Sequence, residues 1–248
     1  MKKIKQANEW GLYGRAAVAA AFKKRPNDVI KVFLEEKHKK QFKHLLDHCR
    51  RQKLAYKFVS EGELSNITKS NHHEGIYLIT KAKPIYNDQA LIKTSSKKDE
   101  SAFVFLDNVA NPHNIGAIIR SAAHFGIRNI VVEKKHFNSI PPSLARVAEG
   151  GLEYVEIFSV NDLKKCALDL QKANYKIFAT SSHSSKPLSE VDLPQKSVIL
   201  LGNEVQGLSA PLIKCADTNI AIPGTGQVES LNVAQAASIL FAKWYQCL

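Results

Sequence analysis

The sequence lacks the defining features of several large protein classes. Its 248 residues include four cysteines, which stand far apart and form no CxxC pair: Cys49, Cys166, Cys215 and Cys247. Neither a zinc site nor a disulfide framework is indicated, so we expect reduced, mostly buried thiols. No segment has the apolar run of a membrane span, and the opening MKKIKQANEWGLYGR lacks the apolar run of a signal peptide. We therefore expect a cytoplasmic protein.

Two nucleotide-binding signatures are absent or misplaced. No GxxxxGK[ST] sequence of a Walker A loop occurs. Gly224 and Gly226 form a GxG, but they follow the last predicted strand, and Glu229 occupies the position of the third glycine. A dinucleotide fingerprint instead follows the first strand of its domain. A nicotinamide-dependent oxidoreductase is thus a remote alternative, and phosphate binding is weakly indicated.

Acidic residues are scarce in the first part of the chain relative to basic ones. Residues 1–100 carry 22 Lys and Arg against 11 Asp and Glu, a net charge of +11, whereas residues 101–248 carry 13 against 12. The basic residues form clusters, with His38, His44 and His48 among them: Lys23, Lys24, Arg25; Lys37, Lys39, Lys40, Lys43; Arg50, Arg51, Lys53. Any single cluster fits a solvated surface equally well, but the asymmetry favours a nucleic-acid partner. His44 and His48 have helical spacing without a nearby third ligand, so we predict no metal site.

The pattern of strands and helices predicts two α/β domains. Residues 1–81 form a small basic domain, with the strands VIKVFL, AYKFV and GIYLIT and with helices over about 11–23 and 40–52. Residues 82–101 are polar and aperiodic, and they are predicted as a linker. Residues 102–248 alternate apolar strands with helices, including a helix near 143–149 and a final helix over 234–244. Such apolar, β-branched strands predict a parallel sheet covered on both faces.

Three segments of the larger domain combine a turn, polar residues and a helix in the manner of a ligand site. They are LDNVANPHNIGAIIRSAAHFG (106–126), LLGNEVQGLS (200–209) and IPGTGQVESLNVAQAASI (222–239). Ligands in open α/β sheets bind beyond the carboxyl ends of the strands, where these turns fall. In the third segment we expect Gly224 and Gly226 to bring the main chain close to a ligand, because glycine adopts conformations that other residues avoid.

Together the three segments resemble, in order and spacing, the motifs of the SpoU branch of the SPOUT class of RNA 2'-O-ribose methyltransferases. The resemblance covers about residues 102–248, and the first hundred residues resemble the family's substrate-binding module, notably Gly11–Phe22 and HHEGIYLI. It implies a parallel sheet with a deep trefoil knot, S-adenosylmethionine as cofactor, rRNA or tRNA as substrate, and a homodimer formed through the C-terminal domain. Asn111 stands where the first motif often has Asp, and Gly224 where the third often has Met, which leaves the pocket's shape open.

The resemblance also implies the site residues. Cofactor contacts fall on Thr180, Gly202, Ile222 and Leu231, and the catalytic set falls on Asn114, Arg120, Glu204, Ser230 and Asn232. Structural alternatives stay open: Asn114 and Ser230 fit helix caps, Glu204 fits a turn cap, and Ile222 and Leu231 fit core positions. A guanidinium stays protonated, so we predict that Arg120 clamps an RNA phosphate and orients the ribose hydroxyl rather than acting as a base. A catalytically silent RNA-binding or ribosome-assembly protein is the alternative function.

Overall fold

The computed structural model describes residues 8–96, 102–137, 139–181 and 186–246, and the chain forms two compact units. The first unit comprises Met1–Lys83 and Ile140–Glu153, and the second comprises Pro84–Ser139 and Tyr154–Leu248. Among the described residues, no helix combines the length and apolar character needed to cross a membrane.

The first unit is built on a mixed sheet with the strand order β1-β4-β2-β3. Its elements are β1 Glu9–Tyr13, α1 Arg15–Lys24, β2 Val29–Leu34, α2 Lys43–Arg51, β3 Ala55–Phe58, α3 Glu61–Thr68 and β4 Ile76–Lys81. The three predicted strands are confirmed. The helix predicted over 11–23 is wrong at its start, because Glu9–Tyr13 pairs with β4 and Gly14, at φ 91°, separates that strand from α1.

Helix α3 was not predicted from the sequence, although its start signal is present. Ser60 accepts a hydrogen bond from the Glu63 N–H, and the Glu63 carboxylate accepts one from the Ser60 N–H. This reciprocal capping box satisfies two main-chain donors at the start of the helix. The Ser-x-x-Glu spacing is readable in the sequence, and only Leu64 of the helix is buried. A helix with one buried side chain gives almost no apolar periodicity, which explains the omission.

The HHEG segment has a structural role in the first unit. His73 is buried, and its Nδ1 accepts a hydrogen bond from the Gly75 N–H at 3.1 Å. Its Nε2 lies 3.0 Å from the Ser65 hydroxyl. Gly75 has φ 81°, and a Cβ there would lie 2.3 Å from the His38 ring. The resemblance in this segment therefore reflects a turn that fixes the start of β4.

The second unit contains a seven-stranded sheet within the described residues, ordered β11-β9-β10-β6-β7-β8-β5. Every pairing in it is parallel, as predicted. The elements from residue 84 onward are β5 Ile85–Tyr86, α4 Asp88–Ser95, β6 Phe103–Leu106, α5 Pro112–His124, β7 Asn129–Glu133, α6 Pro142–Val147, β8 Glu156–Val160, α7 Leu163–Lys172, β9 Lys176–Thr180, β10 Ser197–Leu201, α8 Ala210–Ile213, β11 Thr218–Ile220 and α9 Val233–Tyr245. Helix α6 belongs to the first unit, and the others belong to the second.

The two compact units differ from the predicted domains in two places. Within the predicted linker 82–101, strand β5 pairs with β8 and helix α4 buries Leu91, so residues 85–95 are part of the second unit. Residues 97–101 lie outside the described residues. The helix predicted near 143–149 was assigned to the larger domain, yet α6 packs against β1 and α1. Arg25 fixes this segment through a 2.7 Å ion pair with Glu153, and neither contact is visible in local sequence.

The cysteines bear out the expectation of buried, unpaired thiols where they are described. Cys49, Cys166 and Cys215 are buried and free, whereas Cys247 lies outside the described residues. Burial raises the pKa of all three thiols, and that of Cys166 rises to about 12. Because only the thiolate is an efficient nucleophile, these thiols stay unreactive at neutral pH.

We expect a Cys247→Ala variant to show no fast reaction with a disulfide reagent at pH 8 and to expose three thiols in denaturant. The pKa of Cys166 in the folded protein lies above its ordinary value of 9.0. The contribution of the protonated Cys166 thiol to the free energy of unfolding is therefore fully present below pH 9 and is lost as the pH rises toward 12. Stopped-flow absorbance with the folded protein measures the reaction. One fast equivalent in the folded variant would contradict the burial of these thiols.

Candidate functional site

A cavity of about 950 Å³ lies beside the carboxyl ends of β9, β10 and β11 in the second unit. These strands are neighbours and parallel, so their ends meet at one edge of the sheet, where ligands bind in such folds. The four residues implied as cofactor contacts, Thr180, Gly202, Ile222 and Leu231, all line this cavity. Glu204 and Ser230 line it as well. A volume of this size suits a small organic ligand.

The exposure of Ile222 and Leu231 decides against their core interpretation. Leu231 is 44% exposed, and Ile222 is partly exposed. An apolar side chain left in solvent at a cavity wall contributes little to folding and is available to a ligand. Thr180 differs, because its hydroxyl already donates a hydrogen bond to the Leu200 carbonyl at 2.9 Å.

The turn after β10 is held by Asn203, a residue that sequence reasoning did not select. Its side-chain oxygen accepts hydrogen bonds from the N–H groups of Val205 and Gln206, at 2.9 and 3.0 Å. Its main chain exchanges two hydrogen bonds with Gly207. A side-chain oxygen bonded two and three residues onward is the signature of an Asx turn, and an asparagine followed by a glycine turn is the available sequence signal. The turn positions Glu204 at the cavity.

Buried Asp107 ties this turn to the first motif and was likewise not selected. One carboxylate oxygen accepts a hydrogen bond from the Ser209 N–H at 2.7 Å, and the other accepts one from the Asn108 amide at 2.9 Å. Asn203 donates to the Asn108 carbonyl at 3.0 Å. A charged group that is only 4% exposed must be satisfied by such bonds. Asp107 therefore fixes the spacing of the two motifs.

Three of the five predicted catalytic residues are joined by direct hydrogen bonds. The Asn114 amide donates to the Glu204 carboxylate, and its oxygen accepts from the Asn232 amide at 3.1 Å. We name this the Asn114–Glu204–Asn232 network. It connects α5, the turn after β10 and the start of α9, which lie far apart in sequence.

The helix-cap alternatives for Asn114 and Ser230 are wrong. Asn111 caps α5 by accepting from the His113 N–H at 2.9 Å, so Asn114 lies inside the helix. Asn232 caps α9 by accepting from the Ala234 N–H at 2.9 Å, and Ser230 precedes the cap in an exposed loop. Asn232 thus uses its oxygen for the helix and its amide for the network.

Arg120 lies apart from the network. It is six residues after Asn114 on α5, which places it about 9 Å further along the axis and about 120° around it. Its side chain is exposed, and it makes no hydrogen bond or ion pair with any residue of the described ranges. The guanidinium is therefore available to an external anion. Replacing Arg120 would leave no buried hydrogen-bonding group without its partner.

The loop before α9 contains Gly224 and Gly226, and only one of them has the unusual backbone conformation that we expected of both. Gly226 has φ 78°, a left-handed conformation that favours glycine. Gly224 has no such angle, and a Cβ there would meet no atom within 4 Å. The expectation that Gly224 is conformationally required is wrong. Ala221 anchors the loop start through hydrogen bonds with Lys186 and Leu188, at 2.9 and 2.8 Å.

Two family profiles match the sequence. The profile described as "SpoU rRNA Methylase family" matches residues 101–242, and "RNA 2'-O ribose methyltransferase substrate binding" matches residues 12–86. The two profiles cover the second unit's site and most of the first unit.

Similar proteins span nearly the whole chain. An "uncharacterized tRNA/rRNA methyltransferase YfiF" of Escherichia coli O157:H7 is 31% identical over 97% of this chain and 69% of its own length. The 23S rRNA (guanosine-2'-O-)-methyltransferase RlmB of Shewanella oneidensis is 30% identical over 92% of this chain and 93% of its own. The structure of the SpoU methyltransferase AviRb of Streptomyces viridochromogenes, in complex with AdoMet, shares the fold. It has a TM-score of 0.79 and 21% identity, covering 97% of this chain and 90% of that one.

Proposed function

Because the chain belongs to the SpoU rRNA methylase family, we propose that it transfers a methyl group from S-adenosylmethionine to a ribose 2'-hydroxyl of rRNA or tRNA. One observation carries this proposal. The cavity at the strand ends is lined by every residue implied as a cofactor contact, and Glu204 on its wall is held by the network of polar side chains. The acceptor and the methyl donor would thus meet at one edge of the sheet.

The residues of the cavity fit S-adenosylmethionine. Partly exposed Ile222 and exposed Leu231 offer apolar surface to a nucleoside, and Gly202, which is partly exposed, presents its main chain at the cavity wall. Thr180 contributes its main chain, since its hydroxyl is engaged elsewhere. When bound, the cofactor supplies a methyl group already activated on a sulfonium. The protein's task is therefore to position and polarise the acceptor hydroxyl.

The polar residues of the site are assigned separate roles in positioning the acceptor. Glu204 and Ser230 face the cavity and are assigned to the ribose, and Asn114 and Asn232 fix the orientation of Glu204. Arg120 is assigned to an adjacent RNA phosphate, which a planar guanidinium binds through two parallel hydrogen bonds. The displaced hydroxyl proton leaves to water rather than to Arg120.

The remaining assignments concern partners and topology. The first unit is proposed to hold RNA, supported by the substrate-binding profile over residues 12–86 and by the net charge of +11 in residues 1–100. A homodimer through α9 is proposed because Ile239 and Tyr245 are 40% and 54% exposed on that helix. The trefoil knot of the family and a cytoplasmic location stay predictions.

Two experiments test the proposed function. A thermal shift with S-adenosylhomocysteine, and none with NAD, is expected if the cavity holds the methyl donor. The second experiment maps ribose 2'-O-methylation in RNA from cells with and without the protein. One or a few methylated positions are expected to disappear in the deletion strain. RNA from that strain then serves as acceptor for a tritiated-methyl assay. Cofactor binding together with an unchanged map would favour the silent RNA-binding alternative.

Asn232→Asp separates the two roles of Asn232. A carboxylate still accepts from the Ala234 N–H, so we expect a melting temperature close to wild type. It has no amide to donate to Asn114, so we expect methyl transfer to fall at least about tenfold. Asn232→Ala is the matched variant and is expected to lose the cap as well, at a cost of about 1 kcal/mol. Calorimetry and the tritium assay measure the two effects, and full transfer by Asn232→Asp would remove the network from the mechanism.

A further inference from the structure

The edge strand β3 of the first unit carries a pair of aromatic side chains on one face. Tyr56 and Phe58 are two residues apart, so they project to the same side of the strand. Their ring centroids lie 6.0 Å apart in an edge-to-face arrangement, and both side chains are partly exposed. The segment AYKFV predicts only an ordinary strand, so a role for this pair is not evident from the sequence.

A cation lies over each ring. The Arg50 guanidinium carbon is 5.8 Å from the centroid of Tyr56, and its Nε donates to the Tyr56 hydroxyl at 3.3 Å. The Lys39 ammonium is 5.7 Å from the centroid of Phe58. Arg50 comes from α2 and Lys39 from the loop that precedes it. We name these four residues, Lys39, Arg50, Tyr56 and Phe58, the edge platform.

The chain around the edge platform is strongly basic. Residues 36–58 contain eight Lys and Arg against two acidic residues, and all eight are exposed. Asp47 pairs with Arg50 at 2.8 Å, but five of the cations make no ion pair with any residue in the described ranges: Lys39, Lys40, Lys43, Arg51 and Lys53. Unpaired exposed cations beside aromatic rings complement a ligand that has both phosphates and flat bases.

We propose that the edge platform binds an unpaired segment of RNA, with bases stacked on Tyr56 and Phe58 and phosphates held by Lys39 and Arg50. This inference rests on the proposed function only in taking RNA as the ligand. An A-form duplex buries its base faces within the helix, so aromatic rings stack only on unpaired bases. The edge platform thus selects a loop, bulge or single strand of the RNA.

The opposite face of the same sheet supplies a matched control. Phe33 has Lys31 over its ring at 4.6 Å, but it stacks against Tyr77 with centroids 6.1 Å apart. Its ring is thus already occupied by another aromatic residue. Phe33→Leu changes the same kind of residue in the same sheet without touching the edge platform.

Fluorescence anisotropy with the full-length protein tests the inference. The probes are a labelled 12-nucleotide single-stranded RNA and the same sequence in a duplex, each measured over a salt series. We expect the double variant Tyr56→Leu, Phe58→Leu to weaken single-strand binding at least about tenfold with the salt slope unchanged. We expect Lys39→Gln, Arg50→Gln to lower the slope by about 1.4, since each phosphate contact to a single strand contributes about 0.7. Phe33→Leu should bind as wild type does.

A second measurement does not depend on variants. The same single strand with 2-aminopurine at its centre should be quenched on binding to wild-type protein, because stacking on an aromatic ring quenches that base. Unchanged affinity in the Tyr56, Phe58 variant, an equal loss in Phe33→Leu, or binding without quenching would overturn the edge platform. Failure of the proposed function gives a different result, in which wild-type protein shows no S-adenosylhomocysteine shift and no methyl transfer.

Discussion

Arg120→Lys is expected to lower methyl transfer about 100-fold or more at saturating RNA while cofactor binding stays unchanged. Lysine keeps the positive charge but loses the planar fork that holds a phosphate through two hydrogen bonds. Arg120 lies outside the cavity lining and is exposed, so the substitution leaves the cofactor pocket and the packing of α5 intact. The loss should therefore fall on kcat rather than on stability.

Single-turnover transfer of tritiated methyl groups, with melting temperature and S-adenosylhomocysteine affinity measured beside it, separates these effects. Arg120→Ala is the companion variant and should transfer no faster than Arg120→Lys. Near wild-type transfer by Arg120→Lys would show that charge alone suffices and would rule out a bidentate clamp. A fall in melting temperature would show that Arg120 has a structural contact.

Gly202→Ala is expected to abolish the S-adenosylhomocysteine shift and methyl transfer together. A Cβ at this position would lie 2.3 Å from the carbonyl carbon of Gly207 and 2.4 Å from the nitrogen of Leu208. Both are main-chain atoms, so the Asx turn that carries Glu204 has to open. Overpacking of this kind costs about 1–3 kcal/mol of unfolding free energy and reshapes the cavity wall.

Gly224→Ala is the matched control within the same cavity. The added methyl meets no atom within 4 Å, and the residue has no left-handed angle that would be strained. We therefore expect cofactor affinity within about threefold of wild type. Isothermal titration with S-adenosylhomocysteine compares the two variants. Binding by Gly202→Ala as tight as that of Gly224→Ala would contradict the assignment of the cofactor to this cavity.

Much of the second unit is predictable from local sequence. Its buried parallel strands are continuous apolar runs, because both of their faces lie in the core, and NIVVE matches β7 in full. The candidate site residues other than Thr180 each lie in one of three contiguous motifs, so the sequence alone is enough to nominate them. Which positions require glycine is predicted from the sequence only in part. Gly202 is required by a close approach of Gly207 and Gly226 by its angle, while Gly224 has neither reason.

Local sequence is enough to predict the parallel sheet, the concentration of positive charge in the first hundred residues and the identity of the motif residues, because each depends on neighbours within one segment. Which of these residues contact one another is known only from the folded chain. Asn114 contacts Glu204 and Asn232 across 90 and 118 positions, and Glu153 pairs with Arg25 across 128. The Tyr56–Phe58 pair is flanked by cations from α2 and from the loop that precedes α2. Contacts of this kind depend on how separate elements pack, so the periodicity and the residue types of one segment do not predict them.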